Sequence, residues 1–250
     1  MRTLDCAVIT KRGSEHDAND DFAAIDAELG TLVVADGMGG RPGGAQASRV
    51  ATEAFIEEVR SGPAQSRNEV SNLRNAVIVA NRSVRSLANA DASLEGLGTT
   101  LSAVVLNDSK GKIVHVGDSR IYLFENNKLR QLTKDHTLVA ELVERKHLTA
   151  ESAKRYPLKN VLSRCVGPQE IVEPDIDEFE LAATDWLVLT TDGLTKALAP
   201  EHLGNIIKNS TATKAEQLCR DIMGAVGIEE PSDDITIVVA RLSEAALEKT

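Results

Sequence analysis

Short apolar runs alternate with polar, glycine-rich turns over much of this chain of 250 residues. Runs of about four to eight apolar and β-branched residues, bounded by Gly, Asn, Asp or Pro, are typical of β-strands. This pattern predicts strands at residues 4–10, 22–25, 31–35, 99–106, 112–116, 121–124, 185–190 and 235–242. The pair Asn126-Asn127, after the sixth run, predicts a hairpin turn.

Two longer segments between these strands carry apolar residues at helical spacing. The first helix is predicted to begin near Gly43, with an apolar face formed by Ala47, Val50, Ala51, Ala54, Phe55 and Val59. The face of the second is formed by Val70, Leu73, Val77, Ala80, Val84 and Leu87. Shorter helices are predicted at 201–207 and 215–226, and the pattern over 135–155 is helical and charged.

The order of these elements indicates the fold class. Two consecutive helices lie between groups of strands, which favours an α+β layered domain over strict βαβ repetition. No linker, internal repeat or low-complexity segment divides the chain, so we expect one domain spanning residues 1–250. The polar segment 137–167 interrupts the strand series and is the best candidate for a mobile flap.

The amino-acid composition limits the classes of molecule that this chain is expected to bind. Lys and Arg number 28 against 38 Asp and Glu, a formal net charge of −10, which argues against binding nucleic acid or an anionic membrane surface. Cys6, Cys165 and Cys219 lack disulfide or zinc-site spacing, so we expect reduced thiols. No apolar stretch approaches the roughly 20 residues that span a bilayer, and the chain starts without a signal-like region. We therefore expect a cytoplasmic protein, with a monomer as the default.

Four apolar strands carry a carboxylate at one end: Asp36, Asp118, Asp192 and the pair Asp233-Asp234. Asp-Gly is a common turn dipeptide, so any one of these residues is more simply a solvated turn residue. Four such positions beside strongly apolar strands favour a site for a hard cation, because Mg²⁺ and Mn²⁺ prefer oxygen ligands. A glycine after the carboxylate also lets a backbone carbonyl approach the ion closely.

The motifs around these carboxylates occur in a specific order. They are Gly13-x-x-His16-x-x-Asn19-Asp20-Asp21, Val34-Ala35-Asp36-Gly37-Met38-Gly39-Gly40, Gly98-Thr99-Thr100, Gly117-Asp118-Ser119-Arg120, Leu132-Thr133-Lys134-Asp135-His136, Thr191-Asp192-Gly193 and Asp233-Asp234-Ile235-Thr236. Each is weak alone, but the ordered set resembles the metal-dependent protein serine/threonine phosphatases of the PP2C type, particularly their compact bacterial members. The resemblance covers about residues 5–242. It implies a four-layer α-β-β-α sandwich, in which two antiparallel sheets pack face to face with helices outside.

The resemblance also implies a metal site for two Mn²⁺ or Mg²⁺ ions, with a third ion seen in bacterial relatives. Its expected ligands are Asp36, the backbone carbonyl of Gly37, Asp192, Asp233, Asp20 and Asp118. Asp36 is expected to bridge the two core ions, and Asp118 to hold the third together with Asp192. Asp20 is expected near the site, although a solvated loop carboxylate is a competing interpretation. Asp36, Asp192 and Asp233 would act in catalysis through a metal-activated water.

Two positions depart from the family pattern. His16 stands where the family commonly has an arginine that grips the substrate phosphate, and it lacks the bidentate fork of arginine. We expect His16 or Arg12 to contact phosphate, with Arg41 as a further candidate, but a polar loop residue explains His16 equally well. Met38 replaces a histidine that eukaryotic members carry, so the acid that protonates the leaving group is unassigned.

Other residues in and near these motifs are expected to be structural. Arg120 is expected to pair with a carboxylate, and Trp186 to lie in the core. Cys165 is expected to be a small apolar residue that anchors the flap rather than a redox sensor. Asp21 is expected to be structural, and Asp234 stands where the family often has Asn.

The function expected from this resemblance is metal-dependent hydrolysis of phosphoserine and phosphothreonine in proteins, opposing a serine/threonine kinase in bacterial signalling. A catalytically silent phosphoprotein-binding module is the alternative from another class, favoured only by His16. A nucleotide-binding enzyme is a third, suggested by Gly37-x-Gly39 after a strand, but the third glycine is displaced to Gly43 and there is no P-loop motif.

Overall fold

The computed structural model describes residues 2–38, 43–63, 66–227 and 231–244. Its strands are β1 (Arg2–Lys11), β2 (Asp21–Asp26), β3 (Thr31–Asp36), β4 (Leu101–Asn107), β5 (Lys110–Val116), β6 (Arg120–Glu125), β7 (Lys128–Gln131), β8 (Asp175–Glu180), β9 (Trp186–Thr190) and β10 (Ile235–Glu244). Its α-helices are α1 (Gly44–Ser61), α2 (Val70–Ala90), α3 (Leu138–Glu144), α4 (Ala150–Lys154), α5 (Asp192–Ala197), α6 (Pro200–Asn209) and α7 (Ala215–Val226).

The strands form two five-stranded sheets. One has the order β1-β10-β9-β6-β7 and the other β2-β3-β4-β5-β8. Every pairing in the described sheets is antiparallel. A Rossmann domain is built on a mostly parallel sheet, so the nucleotide-binding alternative does not fit this fold.

Three apolar clusters define the layers. One lies between the sheets and contains Leu32 and Val104 from one sheet and Leu189 and Val238 from the other. A second joins α1 and α2 to the outer face of the β3-β4-β5 sheet. A third joins α6 and α7 to the outer face of the β10-β9-β6 sheet. The four-layer α-β-β-α sandwich is therefore confirmed.

Antiparallel register brings the carboxylates expected in the metal site to the same end of the sandwich. In one sheet Asp21 lies opposite Asp36 across β2 and β3, and Val116 at the end of β5 lies opposite Leu101. In the other, Thr190 at the end of β9 lies opposite Ile237 near the start of β10. Because consecutive antiparallel strands alternate in direction, the end of one strand and the start of its neighbour meet at one edge.

Some elements differ from the sequence prediction. β7 and β8 were not predicted, because both are polar edge strands: β8 has the sequence DIDEFE, in which only Phe179 is buried. Residues 192–193 were read as a turn, but Asp192 is the first residue of helix α5. The helical pattern over 135–155 resolves into two short helices, α3 and α4.

The predicted flap (residues 137–167) is anchored at both ends. Thr137 pairs with Leu162 in an isolated bridge, and the Ser163 N–H donates to the His136 carbonyl. At its end, the buried side chain of Asn81 on α2 accepts from the Gly167 N–H at 2.6 Å and donates to the Gln169 carbonyl at 2.9 Å. A single asparagine thus satisfies one buried and one partly buried backbone group of the returning chain.

Replacing Asn81 with Ala should lower the free energy of unfolding by about 1–2 kcal/mol, because the buried Gly167 N–H and the partly buried Gln169 carbonyl lose their partner. Asn75→Ala is the matched control: Asn75 is an exposed asparagine on the same helix, bonded to Glu58, and its loss should change stability by less than about 0.5 kcal/mol. Urea denaturation of the three proteins measures both effects. Equal losses in the two variants would contradict the assigned role of Asn81.

Candidate metal centre

Asp36 is the last residue of β3, and its backbone is fixed by neighbouring threonines. Its N–H donates to Thr100 Oγ1 at 2.9 Å, and its carbonyl accepts from the Thr100 N–H at 2.9 Å. Thr100 Oγ1 also lies 2.7 Å from Ser119 Oγ, in the turn that carries Asp118. The buried Thr100 therefore holds the backbone of Asp36 in register with the Asp118 turn. The sequence showed the Gly98-Thr99-Thr100 motif but not this positioning role.

Gly37 and Gly193 follow two of the carboxylates because other backbone segments pass too close for a side chain. A Cβ at Gly37 would lie 2.2 Å from the Gly44 carbonyl oxygen, and one at Gly193 would lie 2.0 Å from the Asp234 carbonyl oxygen. Contacts that short do not occur between real atoms, so only glycine fits. The Asp-Gly pairs thus mark the places where β3 meets the start of α1 and α5 meets the start of β10.

Asp192 is presented at the start of α5 by the buried Thr191. Thr191 Oγ1 donates to Asp21 Oδ2 at 2.7 Å and accepts from the Thr236 N–H at 3.0 Å, so it links β2, β9 and β10. The other carboxylate oxygen of Asp21, Oδ1, is buried without a hydrogen-bond partner. A buried, unpartnered carboxylate oxygen favours a nearby cation.

The loop before β10 is organised around Asp234. This buried carboxylate accepts from the backbone N–H groups of Gly13 and Asp20, both at 2.7 Å, and lies 2.8 Å from His16 Nδ1. The second ring nitrogen, His16 Nε2, lies 3.7 Å from Asp233 Oδ1. The structure therefore places His16 as the partner of the carboxylate that stands where the family often has Asn.

Asp20, in the first motif, and Arg12, just before it, also have structural contacts. Asp20 Oδ1 accepts at 2.9 Å from the N–H of Ala45, in the first turn of α1, where a negative charge is favoured by the helix dipole. Arg12 Nη1 donates to the backbone carbonyls of His16 and Asp17 at 3.1 and 2.9 Å. Arg41, Gly39 and Gly40 lie outside the described residues.

Asp118 occupies the turn between β5 and β6, and the residues around it are tied down by other contacts. Arg120 pairs with Asp135 through three hydrogen bonds of 2.9, 3.2 and 2.6 Å, which confirms that it partners a carboxylate. His136 Nδ1 accepts from the Gly117 N–H at 3.1 Å, and its Nε2 lies 3.1 Å from Asp175 Oδ2. Both residues fix the Asp118 turn, in agreement with their expected structural roles.

Burial and repulsion among the carboxylates together set the electrostatics of the site. Burial, followed by the negative charges of Asp21 and Asp192, raises the pKa of Asp36 well above its usual range. Burial and the neighbouring Asp192 raise the pKa of Asp118 to about 7, and burial also raises the pKa of Asp192. Like charges held this close favour either protonation or a bound cation.

Lys196 is the cation that the sequence analysis missed. Its Nζ lies 2.7 Å from Asp192 Oδ2 and 2.5 Å from Asp233 Oδ2. Burial lowers the pKa of Lys196, but the charges and hydrogen bonds of Asp192 and Asp233 outweigh burial and hold that pKa above its usual value. The signal was the four-residue spacing from Asp192, which places two side chains on one face of a helix. The Asp-Gly pair at 192–193 predicts a turn, and a turn hides this helical spacing.

The donor chemistry and charge of these residues fit a divalent cation. The oxygen donors are hard, mutually repelling carboxylates, and one buried oxygen of Asp21 lacks a partner. Across the described ranges, no three Asp, Glu, His or Cys side chains surround one point closely enough to enclose a metal ion. The ammonium of Lys196 is instead the cation between Asp192 and Asp233.

Two clefts lead to the carboxylates from the side of the flap. One, of about 400 Å³, is lined by Asp36, Asp118 and Asp192 on the sandwich, with Val161 and Cys165 of the flap opposite. The second, of about 430 Å³, is lined by Asp118, Asp192 and Lys196 together with Lys154 and Lys159 of the flap. Both clefts therefore give access to the carboxylates between the sandwich and residues 137–167.

The His16–Asp234 pair should be energetically coupled. A double-mutant cycle of His16→Ala and Asp234→Asn, measured by urea denaturation in EDTA at pH 6, should give a coupling of about 1–2 kcal/mol. The hydrogen bond to Asp234 raises the pKa of His16. Its stabilisation is therefore fully present below the unfolded-state pKa and is lost as the pH rises through the higher folded-state pKa. The coupling should shrink at pH 9; a coupling that grows with pH would contradict the pairing.

The sequence matches a known protein family over most of its length. Residues 11–230 match the family model described as protein phosphatase 2C. The chain is 30% identical to the protein phosphatase PhpP of Streptococcus pneumoniae serotype 2 over 247 residues, covering 96% of this chain and 98% of that protein. It is 37% identical to the serine/threonine phosphatase stp of Listeria welshimeri over 189 residues, covering 74% of this chain and 75% of that protein.

A solved structure shares the whole architecture. The catalytic domain of the serine/threonine protein phosphatase PstP, in complex with 2 manganese ions, superposes with a TM-score of 0.84 at 28% identity, covering 98% of this chain and 100% of that one. Both the sequence match and the fold extend over nearly the entire chain. The chain therefore belongs to the protein phosphatase 2C family of metal-dependent protein serine/threonine phosphatases.

Proposed function

We propose that this protein binds two Mn²⁺ or Mg²⁺ ions at the end of its sandwich and uses them to hydrolyse phosphoserine and phosphothreonine in protein substrates. The proposed ligands are Asp36, the Gly37 carbonyl, Asp192 and Asp233, with Asp20 near the site and Asp118 beside a third ion. The observation that carries this proposal is the group of mutually repelling carboxylates at one end of the two sheets. Family membership supplies the reaction class.

The residues of this chain are proposed to hold the metal ions and to orient the substrate, and none of the cysteines is proposed as a nucleophile. When bound, divalent cations lower the pKa of a coordinated water and neutralise the phosphoryl oxygens. Asp36, Asp192 and Asp233 are expected to fix the positions of those cations. Cys165 lines the cleft, but burial raises the pKa of its thiol to about 11, so a thiolate is not available there at neutral pH.

Substrate phosphate is proposed to contact His16 and Arg12. The two residues share one loop: Arg12 Nη1 donates to the His16 carbonyl, and the guanidinium is exposed. Since His16 Nδ1 is engaged by Asp234, its Nε2 is the atom proposed to face phosphate. The flap side chains that line the two clefts are the surface nearest to the remainder of a phosphoprotein.

The proposed cellular setting follows from the chemistry of the site and from the amino-acid composition of the chain. Substrates are phosphorylated proteins, so the enzyme is proposed to oppose a serine/threonine kinase in a bacterial signalling circuit. A cytoplasmic, monomeric, single-domain enzyme of residues 1–250 agrees with three free cysteines and with an apolar core shared by both sheets. Among the described helices, none is long and apolar enough to cross a membrane.

The activity should depend on both the metal and the carboxylates. Phosphate release from a phosphothreonine peptide should occur with Mn²⁺ and stop with EDTA, and Asp36→Asn or Asp192→Asn should reduce it by about 100-fold or more, because the charge that holds the cations is lost. Asp177→Asn is the matched control, an exposed aspartate on β8 whose loss should leave the rate within about twofold.

Two results would reject the proposal. One is phosphate release that persists in EDTA or in both site variants. The other is tight phosphopeptide binding without turnover in saturating Mn²⁺, which would assign the chain to the phosphoprotein-binding class.

A further inference from the structure

Lys196 has contacts unlike those of an ordinary surface lysine. It lies on the short helix α5, one turn after Asp192, and its ammonium joins Asp192 to Asp233, which precedes β10. Asp192 follows β9 and Asp233 precedes β10, so the ammonium bridges the segments at the ends of two neighbouring strands of one sheet. Both are proposed ligands of the same metal ion.

Lys196 contacts the same carboxylate oxygens that a metal ion would need as ligands. Nζ lies 2.7 Å from Asp192 Oδ2 and 2.5 Å from Asp233 Oδ2, whereas Mg²⁺ takes oxygen ligands at about 2.0–2.1 Å. An ammonium and a divalent cation on the same two oxygens would be neighbouring positive charges, and they would repel each other. The two cations are therefore alternatives at these oxygens.

The lysine side chain has space into which it can withdraw. Its side chain is 40% exposed, whereas those of Asp192 and Asp233 are 17% and 25% exposed. It also lines the cleft of about 430 Å³ between the sandwich and the flap. The ammonium can thus leave the carboxylates for this cleft while α5 stays in place.

An exposed ion pair on another helix, also between residues four positions apart, illustrates a basic side chain that only stabilises its own helix. Arg220 pairs with Glu216 at 2.6 Å on α7, but both side chains are more than half exposed and the arginine reaches only one carboxylate. Lys196 instead neutralises two partly buried carboxylates whose neighbours Asp36 and Asp118 add further negative charge. Its removal therefore changes the charge of the proposed metal site and not only the stability of a helix.

We propose that Lys196 is a built-in competitor of the metal, which occupies the Asp192 and Asp233 oxygens until a divalent cation displaces its ammonium. This inference rests on the proposed metal site. Its consequence is that Lys196 weakens metal binding and holds the carboxylates together in the metal-free protein. Metal binding is thereby coupled to movement of one side chain at the mouth of the flap cleft.

The test is Mn²⁺ binding to the full chain, measured by calorimetry after removal of metal with EDTA, for the wild type and Lys196→Met. Methionine keeps an unbranched side chain and removes the charge. The variant should bind Mn²⁺ roughly five- to tenfold more tightly. In EDTA the melting temperature of the variant should fall below that of the wild type. Adding Mn²⁺ should raise the melting temperature of the variant by more than it raises that of the wild type. Lys196→Arg, which keeps the charge, should stay near the wild-type affinity.

Controls separate this inference from the proposed site. Arg220→Met removes an i,i+4 pair distant from the carboxylates and should leave Mn²⁺ affinity unchanged. If Asp192→Asn loses Mn²⁺ binding but Lys196→Met binds no more tightly than the wild type, the competitor role is rejected and the site stands. If Asp192→Asn binds Mn²⁺ as the wild type does, the proposed site itself fails. Should Lys196→Met not fold, Lys196→Gln carries the same prediction.

Discussion

The repulsion among half-buried carboxylates at one end of the sandwich is the constraint on which the rest of this structure depends. Asp36, Asp118 and Asp192 lie at three different strand ends. Burial raises the pKa of all three, and neighbouring carboxylates raise the pKa of Asp36 and Asp118 further. Such a group costs folding free energy unless positive charge or protons compensate it. The two sheets, packed through one continuous apolar layer, supply the rigidity that keeps the carboxylates together.

The chain places its own nitrogen-bearing side chains against carboxylates at two points. His16 meets the additional carboxylate of Asp234, which is also bound by two backbone N–H groups, and Lys196 meets Asp192 and Asp233. The two arrangements differ in consequence. The His16–Asp234 pair organises the loop behind the site, whereas Lys196 lies on the proposed metal ligands themselves and must give way to a cation. A phosphatase built this way links metal occupancy to a local rearrangement beside the flap.

Much of the fold was predictable because its core strands are strongly apolar and its two long helices have clear apolar faces. The edge strands β7 and β8 were missed because their sequences are charged, as edge strands often are. The ordered motifs predicted which carboxylates approach one another. The contacts of Thr100 and Thr191, and that of Lys196 with Asp233, could not be predicted, since they join residues that only the packed sheets bring together.

The most direct test of this account is a crystal structure of the protein grown with Mn²⁺, with anomalous diffraction recorded on both sides of the manganese absorption edge. We expect two anomalous peaks at the end of the sandwich, bridged by Asp36, with Asp192 and Asp233 on one of them and the Lys196 ammonium withdrawn from both carboxylates. Manganese bound away from these aspartates, or no anomalous peak among them at saturating Mn²⁺, would contradict the account.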